Sequence, residues 1–289
     1  MLEDDRRRLA DTRFTNPEKI AELARDRERR PSIATGRLLI IAADHAARGT
    51  INIGSDKTAI GNRYELLDRL AAALSVPGVD GVLGTPDIVE DLLLLGALHN
   101  KVVFGSMNRG GLPGAAFEMD DRFTSYTTSS IVESRLDGGK MLLRINYDDP
   151  TTVTTLAACG DAVSSLAAVG KVAMLEPFIS KRTNGASKNE LTTEAVIRSI
   201  GIASALGATS AYTWLKIPVV SDMARVAEAT TLPIVLLGGE RNDRPDVMFG
   251  HFEKALRLPG VRGLVVGRNL LYPPDDDVTA AVKTAVSLL

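Results

Sequence analysis

One lysine, Lys216, stands inside the apolar run Ala211-Tyr-Thr-Trp-Leu-Lys-Ile-Pro-Val-Val220. A buried ammonium is costly unless it is paired or loses its proton. A neutral lysine amine attacks a carbonyl and forms a Schiff base, and such a reaction needs groups that move protons to and from the carbinolamine and a substrate hydroxyl. Asp44 in AADHAARG, Glu176 in MLEPF and Tyr147 in RINYDD are the candidates for that work. The bland alternatives are a lysine that snorkels to a rim or pairs with a carboxylate, and carboxylates in structural ion pairs. A second chemistry is written in LLGGERND and VVGRNLL. Gly238, Gly239 and Gly267 let backbone approach an anion, and Arg268 adds charge, which together suit a phosphate group.

These residues need elements that bring them together. Short runs rich in Val, Ile and Leu recur at 37–44, 79–84, 101–107, 140–147, 171–178, 211–218, 232–239 and 261–267, with helix-period segments between them. Continuous rather than alternating apolar strands are buried on both faces, as in a parallel sheet. Eight βα units in about 250 residues fit a TIM (β/α)8 barrel. A doubly wound open sheet fits less well, because no Gly-rich loop follows the first strand. Residues 1–35 are expected to form an N-terminal helical extension, with NPEKIAELARDRERRP as a capping helix, and 36–289 the barrel. Every candidate then falls at a strand's C-terminal end, where barrel active sites form. His45 follows Asp44, Arg144 lies in strand four, and Lys181 follows strand five; all three are candidate substrate contacts. Two longer connections, after strands three and five, border the same end. Lys101, Lys140 and Lys171 read as strand-start lysines on the opposite rim. By alternation Trp214 shares the face of Lys216.

The ordered set resembles the class I aldolases of the archaeal-type fructose-bisphosphate and tagatose-bisphosphate group. AADHAARG resembles that group's first-strand Asp motif, INYDDP its strand-four Tyr-Asp segment and MLEPF its strand-five Glu-Pro segment. TWLKIPV resembles the Schiff-base strand, and LLGGE and LVVGRNLL its two phosphate loops. The resemblance implies Lys216 as the Schiff-base lysine, Asp44 in proton transfer, a phosphorylated sugar as substrate, no cofactor, and a homo-oligomer with the N-terminal helix as a possible subunit contact. Tagatose-type members carry a second lysine within strand four. Here Lys140 reads as the start of that strand and Arg144 as the cation nearer its top, able to grip a carboxylate through its planar fork. A substrate with phosphate at one end and carboxylate at the other would suit, such as 5-dehydro-2-deoxygluconate 6-phosphate of inositol breakdown. The chain also resembles an actinobacterial barrel protein associated with inositol catabolism.

Bulk properties fit a globular enzyme. The 289 residues are 45% hydrophobic and 24% charged, with a net charge of −2, so there is no global electrostatic case for nucleic acid or an acidic membrane. The single Cys159 permits no intrachain disulfide and reads as a small core residue. The opening MLEDDRRRLADTR is charged throughout, and a cytoplasmic protein with no leader and no membrane span is expected. A metal-dependent aldolase would need several ligands at strand ends, and of His45, His99 and His251 only His45 stands there, so no metal is expected. Two alternatives remain open: another Schiff-base reaction, such as deoxyribose-phosphate cleavage or acyl transfer on a ketose phosphate, and a non-catalytic sugar-phosphate-binding protein.

Overall fold

The computed structural model describes residues 3–31, 33, 36–183, 186–241 and 243–289. The expected boundary at 35/36 touches a residue outside that set. Among the described residues there are nine strands: β1 (Leu38–Ala43), β2 (Gly81–Gly84), β3 (Val102–Ser106), β4 (Gly138–Ile145), β5 (Val172–Thr183), β6 (Ala186–Asn189), β7 (Thr213–Ile217), β8 (Ile234–Leu237) and β9 (Val261–Val266). They run in the order β4-β3-β2-β1-β9-β8-β7-β5-β6, and a β4–β5 pairing closes the ring. All pairings within the ring are parallel, so eight strands form the closed barrel of a TIM fold. The helices are α1 (Glu3–Thr15), α2 (Glu18–Asp26), α3 (Arg63–Ser75), α4 (Pro86–Leu94), α5 (Thr128–Glu133), α6 (Thr151–Ala168), α7 (Thr193–Ser204), α8 (Met223–Glu228), α9 (Pro245–Leu256), α10 (Arg268–Leu271) and α11 (Val278–Ser287). None is long and apolar enough to cross a membrane among the described residues.

Strand alternation divides the core in two. Leu39, Ile41, Val103, Leu143, Leu175 and Leu215 face outward into the layer that packs against the helices. Ile40, Ala42, Leu83, Phe104, Met174, Val235 and Val265 face inward and fill the barrel. The Phe104 and Trp214 rings stand 5.7 Å apart in this inner layer. Phe104 is fully buried, worth about 2–3 kcal/mol by apolar area. Trp214 lies two residues before Lys216, so this aromatic pair forms the floor beneath the lysine.

Two elements differ from the sequence expectation. β4 begins at Gly138, not Lys140. The Gly138-Gly139 pair reads as punctuation, since glycine is depleted in strands. Here it serves close approach: a Cβ on Gly138 would lie 2.3 Å from the Val172 carbonyl oxygen and 2.6 Å from Phe104 Cε1. Lys140 is consequently an inward-facing strand residue in phase with Leu142 and Arg144, not a rim lysine. Secondly, the connection after the fifth strand is largely ordered. β5 continues to Thr183 and pairs antiparallel with β6, with Ser180 opposite Asn189 and Thr183 opposite Ala186.

Candidate active site

The C-terminal ends of the strands open into a cavity of about 870 Å³. On its floor the acidic and basic side chains form one continuous chain of contacts. Lys216 Nζ, from β7, donates to Glu176 Oε1 of β5 at 2.5 Å. Lys140 Nζ, from β4, contacts the other Glu176 oxygen and reaches Asp44 Oδ2, just past β1, at 3.3 Å. Asp44 also pairs with Arg109 and accepts from Ser106 Oγ at 3.1 Å. Arg109 Nε in turn donates to Ser106 Oγ at 3.1 Å. Two carboxylates thus serve three cations, all buried. Lys216 lines the cavity, whereas Lys140 is 0% exposed and lies beneath it.

The electrostatics follow from that count. Burial lowers the Lys216 pKa from the ordinary 10.5, and Arg109 and Arg268 add to the effect, while Glu176 opposes it. Lys140 is driven well below its ordinary value by burial, with Arg109 and Lys216 as the neighbouring positive charges. Burial pushes Glu176 upward, but Lys140, Lys216 and Arg109 overcome it and hold the carboxyl well below the usual range. Burial brings Arg109 down to about 10.

A second feature stands at the ends of β8 and β9. Gly238, Gly239, Glu240, Gly267 and Arg268 line the cavity there. Asn269 Nδ2 donates to the Gly238 carbonyl at 2.8 Å and the Glu240 carbonyl at 3.0 Å, tying the two loops together. Arg268 donates to the Gly239 carbonyl at 3.1 Å, and its Nε is buried with no partner among the described residues. Gly239 has φ +67°, the left-handed region that favours glycine. A Cβ on Gly267 would lie 2.2 Å from the Ala42 carbonyl oxygen and 2.6 Å from His45 Cε1. Burial, with Arg268 and Lys216 nearby, holds His45 well below the ordinary histidine pKa, so it meets this pocket as a neutral ring.

The profile of the Cgl0159-like family matches residues 36–286. The chain belongs to the Cgl0159-like family. Cgl0159 from Corynebacterium glutamicum, known from a crystal structure, is 53% identical over 100% of this chain and 97% of its own, with a TM-score of 0.97. The same fold appears in a Schiff-base-forming fructose-1,6-bisphosphate aldolase, at 17% identity over 93% of this chain and 99% of its own, with a TM-score of 0.66. It also appears in a fructose-bisphosphate aldolase from Slackia heliotrinireducens, at 19% identity over 99% and 91% of the two chains, with a TM-score of 0.61. A search among curated proteins finds no match.

Within this member of the family, the structure gathers Lys216, Asp44, Glu176, His45, Gly238, Gly239, Gly267 and Arg268 around one cavity. It separates three other residues from the roles expected of them. Tyr147 is 63% exposed and lies outside the cavity lining. It stands in the turn after β4, which ends at Ile145, so the strand does not aim it into the barrel mouth. Lys181 is exposed on the β5–β6 hairpin, ion-paired with Glu190, and is likewise outside the lining. Arg144 borders the cavity, but Asp121 holds it in a fork, with Nε–Oδ2 and Nη2–Oδ1 both at 2.8 Å. It also donates to the Glu118 carbonyl. Its fork is therefore used to fasten the long connection after β3 and is not open to a substrate carboxylate. Sequence reasoning missed Lys140, Ser106 and Arg109. Ser106 closes β3 itself, and Arg109 opens the longer connection that already pointed to the mouth.

Proposed function

We propose that the protein is a class I aldolase acting on a phosphorylated keto substrate. The observation that carries this reading is Lys216, its nitrogen against Glu176 on the floor of a cavity whose wall holds the Gly239–Gly267–Arg268 pocket. The phosphate docks in that pocket and fixes the register of the chain. The Lys216 amine adds to the ketone to give a carbinolamine. Glu176 relays the proton that turns the departing hydroxyl into water, leaving an iminium. Asp44, which also lines the cavity, takes the proton of the substrate hydroxyl beyond the bond to be broken. That C–C bond breaks, its electron pair passes into the iminium to form an enamine, and an aldehyde leaves. Protonation of the enamine carbon and addition of water then release the second product and restore the amine. Lys140 touches both carboxylates, and with Lys216 and Arg109 it holds the Glu176 carboxyl below its usual range.

The substrate we favour is 5-dehydro-2-deoxygluconate 6-phosphate, cleaved to dihydroxyacetone phosphate and malonate semialdehyde. It carries phosphate at one end and carboxylate at the other. A second reading, a non-catalytic sugar-phosphate-binding protein, draws on the Lys216–Glu176 ion pair, which can hold the lysine protonated. Against it stands the shared use of Glu176: Lys140 contacts the same carboxylate, so two buried lysines compete for one anion. Assay of this cleavage by release of dihydroxyacetone phosphate tests the proposal. The wild-type protein forms the product and Lys216→Met loses roughly 10⁴-fold or more in kcat. Wild-type protein that binds the substrate tightly without cleaving it supports the binding-protein reading instead.

A further inference from the structure

Among the described residues, three cations that line the mouth form no ion pair: Arg268 at the phosphate pocket, Lys188 on the β5–β6 hairpin, and Arg48, which alone of the three is held against the connection after β3. Arg109 pairs with Asp44, Arg144 with Asp121, and Lys140 and Lys216 share Glu176. Arg48 closes a 3₁₀ turn, Ala46–Arg48, immediately after β1, and its side chain lines the cavity. Its Nε donates to the Gly111 carbonyl at 2.9 Å, which holds the guanidinium against the connection after β3. No carboxylate of the described residues forms an ion pair with it. Burial and the neighbouring Arg144 disfavour its charge, while Asp121, Glu176 and Glu118 favour it from beyond ion-pair distance. A guanidinium kept in that position, beside a like charge and facing a cavity, is arranged to meet an anion from outside the protein.

Its place relative to the phosphate pocket is set by the ring. Gly111 follows β3, whereas Gly239 and Gly267 follow β8 and β9. In the order β4-β3-β2-β1-β9-β8-β7-β5, closed by β4–β5, the tops of β3 and β8 face each other across the mouth. Arg48, Lys216 and the pocket residues line one cavity, so a substrate held at the pocket and at Lys216 has Arg48 bordering the same open space.

We infer that Arg48 binds a second anionic group, a carboxylate or phosphate, at the end of the substrate that leaves as the aldehyde. This makes it the residue that selects doubly anionic substrates. The inference rests on the aldolase reading and takes over the task that Arg144 cannot perform.

The test runs the reaction in the bond-forming direction. Dihydroxyacetone phosphate is the donor, and malonate semialdehyde, glyceraldehyde 3-phosphate and glyceraldehyde are the acceptors. Wild-type protein is expected to prefer at least one charged acceptor over the neutral one, and whichever it prefers names the group. In Arg48→Met the ratio of kcat/KM for that acceptor over glyceraldehyde falls about tenfold to a hundredfold. Arg48→Lys, which keeps the charge but loses the fork, retains part of the ratio. A wild-type protein indifferent to acceptor charge, or an Arg48→Met variant that slows all three acceptors by the same factor, overturns the assignment. Borohydride trapping of dihydroxyacetone phosphate on the wild-type protein separates the two levels. Trapping without acceptor preference removes only the role of Arg48, and absence of trapping removes the aldolase reading with it.

Discussion

At the bottom of the barrel Arg29 pairs with Asp137 at 2.6 Å and Arg30 pairs with Asp80, whereas at the top Lys140 and Lys216 share Glu176. Both ends bury charges of both signs, and the accounting of partners differs. At the bottom, Asp80 and Asp137 also accept from the Leu39 and Val103 backbone N–H groups, at 2.7 and 2.8 Å. Arg27 donates to the Lys101 and Arg135 carbonyls, both at 2.8 Å. Lys101 and Lys171 donate to the Val79 and Leu136 carbonyls at 2.7 and 2.6 Å. These charges therefore fasten the segment after α2 to the strand starts. At the top, cations outnumber carboxylates around an open cavity. Both ends leave one buried guanidinium Nε without a partner among the described residues, on Arg29 below and on Arg268 above, so what separates them is the cavity: the lower charges are taken up by strand-start backbone, and the upper ones border open space.

Exchanging substitutions between the two ends tests this contrast most severely. Lys216→Met is expected to leave the fold intact, since it removes a buried ammonium, while activity falls by the large factor given above. Asp137→Ala is expected to do the reverse. It leaves the Val103 N–H without its partner and Arg29 without its anion, lowering stability by about 2–4 kcal/mol, with kcat of the folded fraction within about twofold of wild type. Denaturant melts and initial rates on both variants measure this, and an Asp137→Ala protein that folds well but loses catalysis would break the contrast.

A finer version concerns the proton on Lys216. Because its pKa is lowered, the rate of borohydride trapping should rise with pH along a limb lying below the ordinary lysine value of 10.5. Glu176 is the charge that raises the Lys216 pKa, so Glu176→Gln moves the limb to more acidic pH even as it removes the proton relay. A limb displaced to higher pH would contradict the assignment of charges. The smallest effects are expected from Tyr147→Phe and Lys181→Ala. Both residues are exposed and outside the cavity, and an exposed ion pair such as Lys181–Glu190 is worth little, so kcat/KM changes by less than about threefold.

The eight-stranded ring was legible in the sequence because inward and outward faces are both apolar, which leaves continuous Val, Ile and Leu runs. The strand ends were legible enough to place Asp44, Glu176, Lys216 and the glycines of β8 and β9 at one rim. What failed was phase and partnership. A two-residue error at the start of β4, caused by the unusual Gly138-Gly139 opening, put Lys140 on the wrong rim. Tyr147 was placed at the end of that strand, but β4 stops at Ile145 and the tyrosine falls in the turn beyond it. The capture of Arg144 by Asp121 joins residues 23 apart through a connection with no periodicity, so no local pattern announces it. Arg48 escaped for the same reason: its significance lies in the absence of a carboxylate, which only the folded chain reveals.

The most direct measurement is peptide mapping by mass spectrometry after borohydride reduction with dihydroxyacetone phosphate. The account predicts one reduced adduct, on Lys216 in β7, with Lys140 unmodified although it too is a buried lysine with a lowered pKa. An adduct on Lys140, or none on either lysine under conditions where the donor is bound, would contradict it.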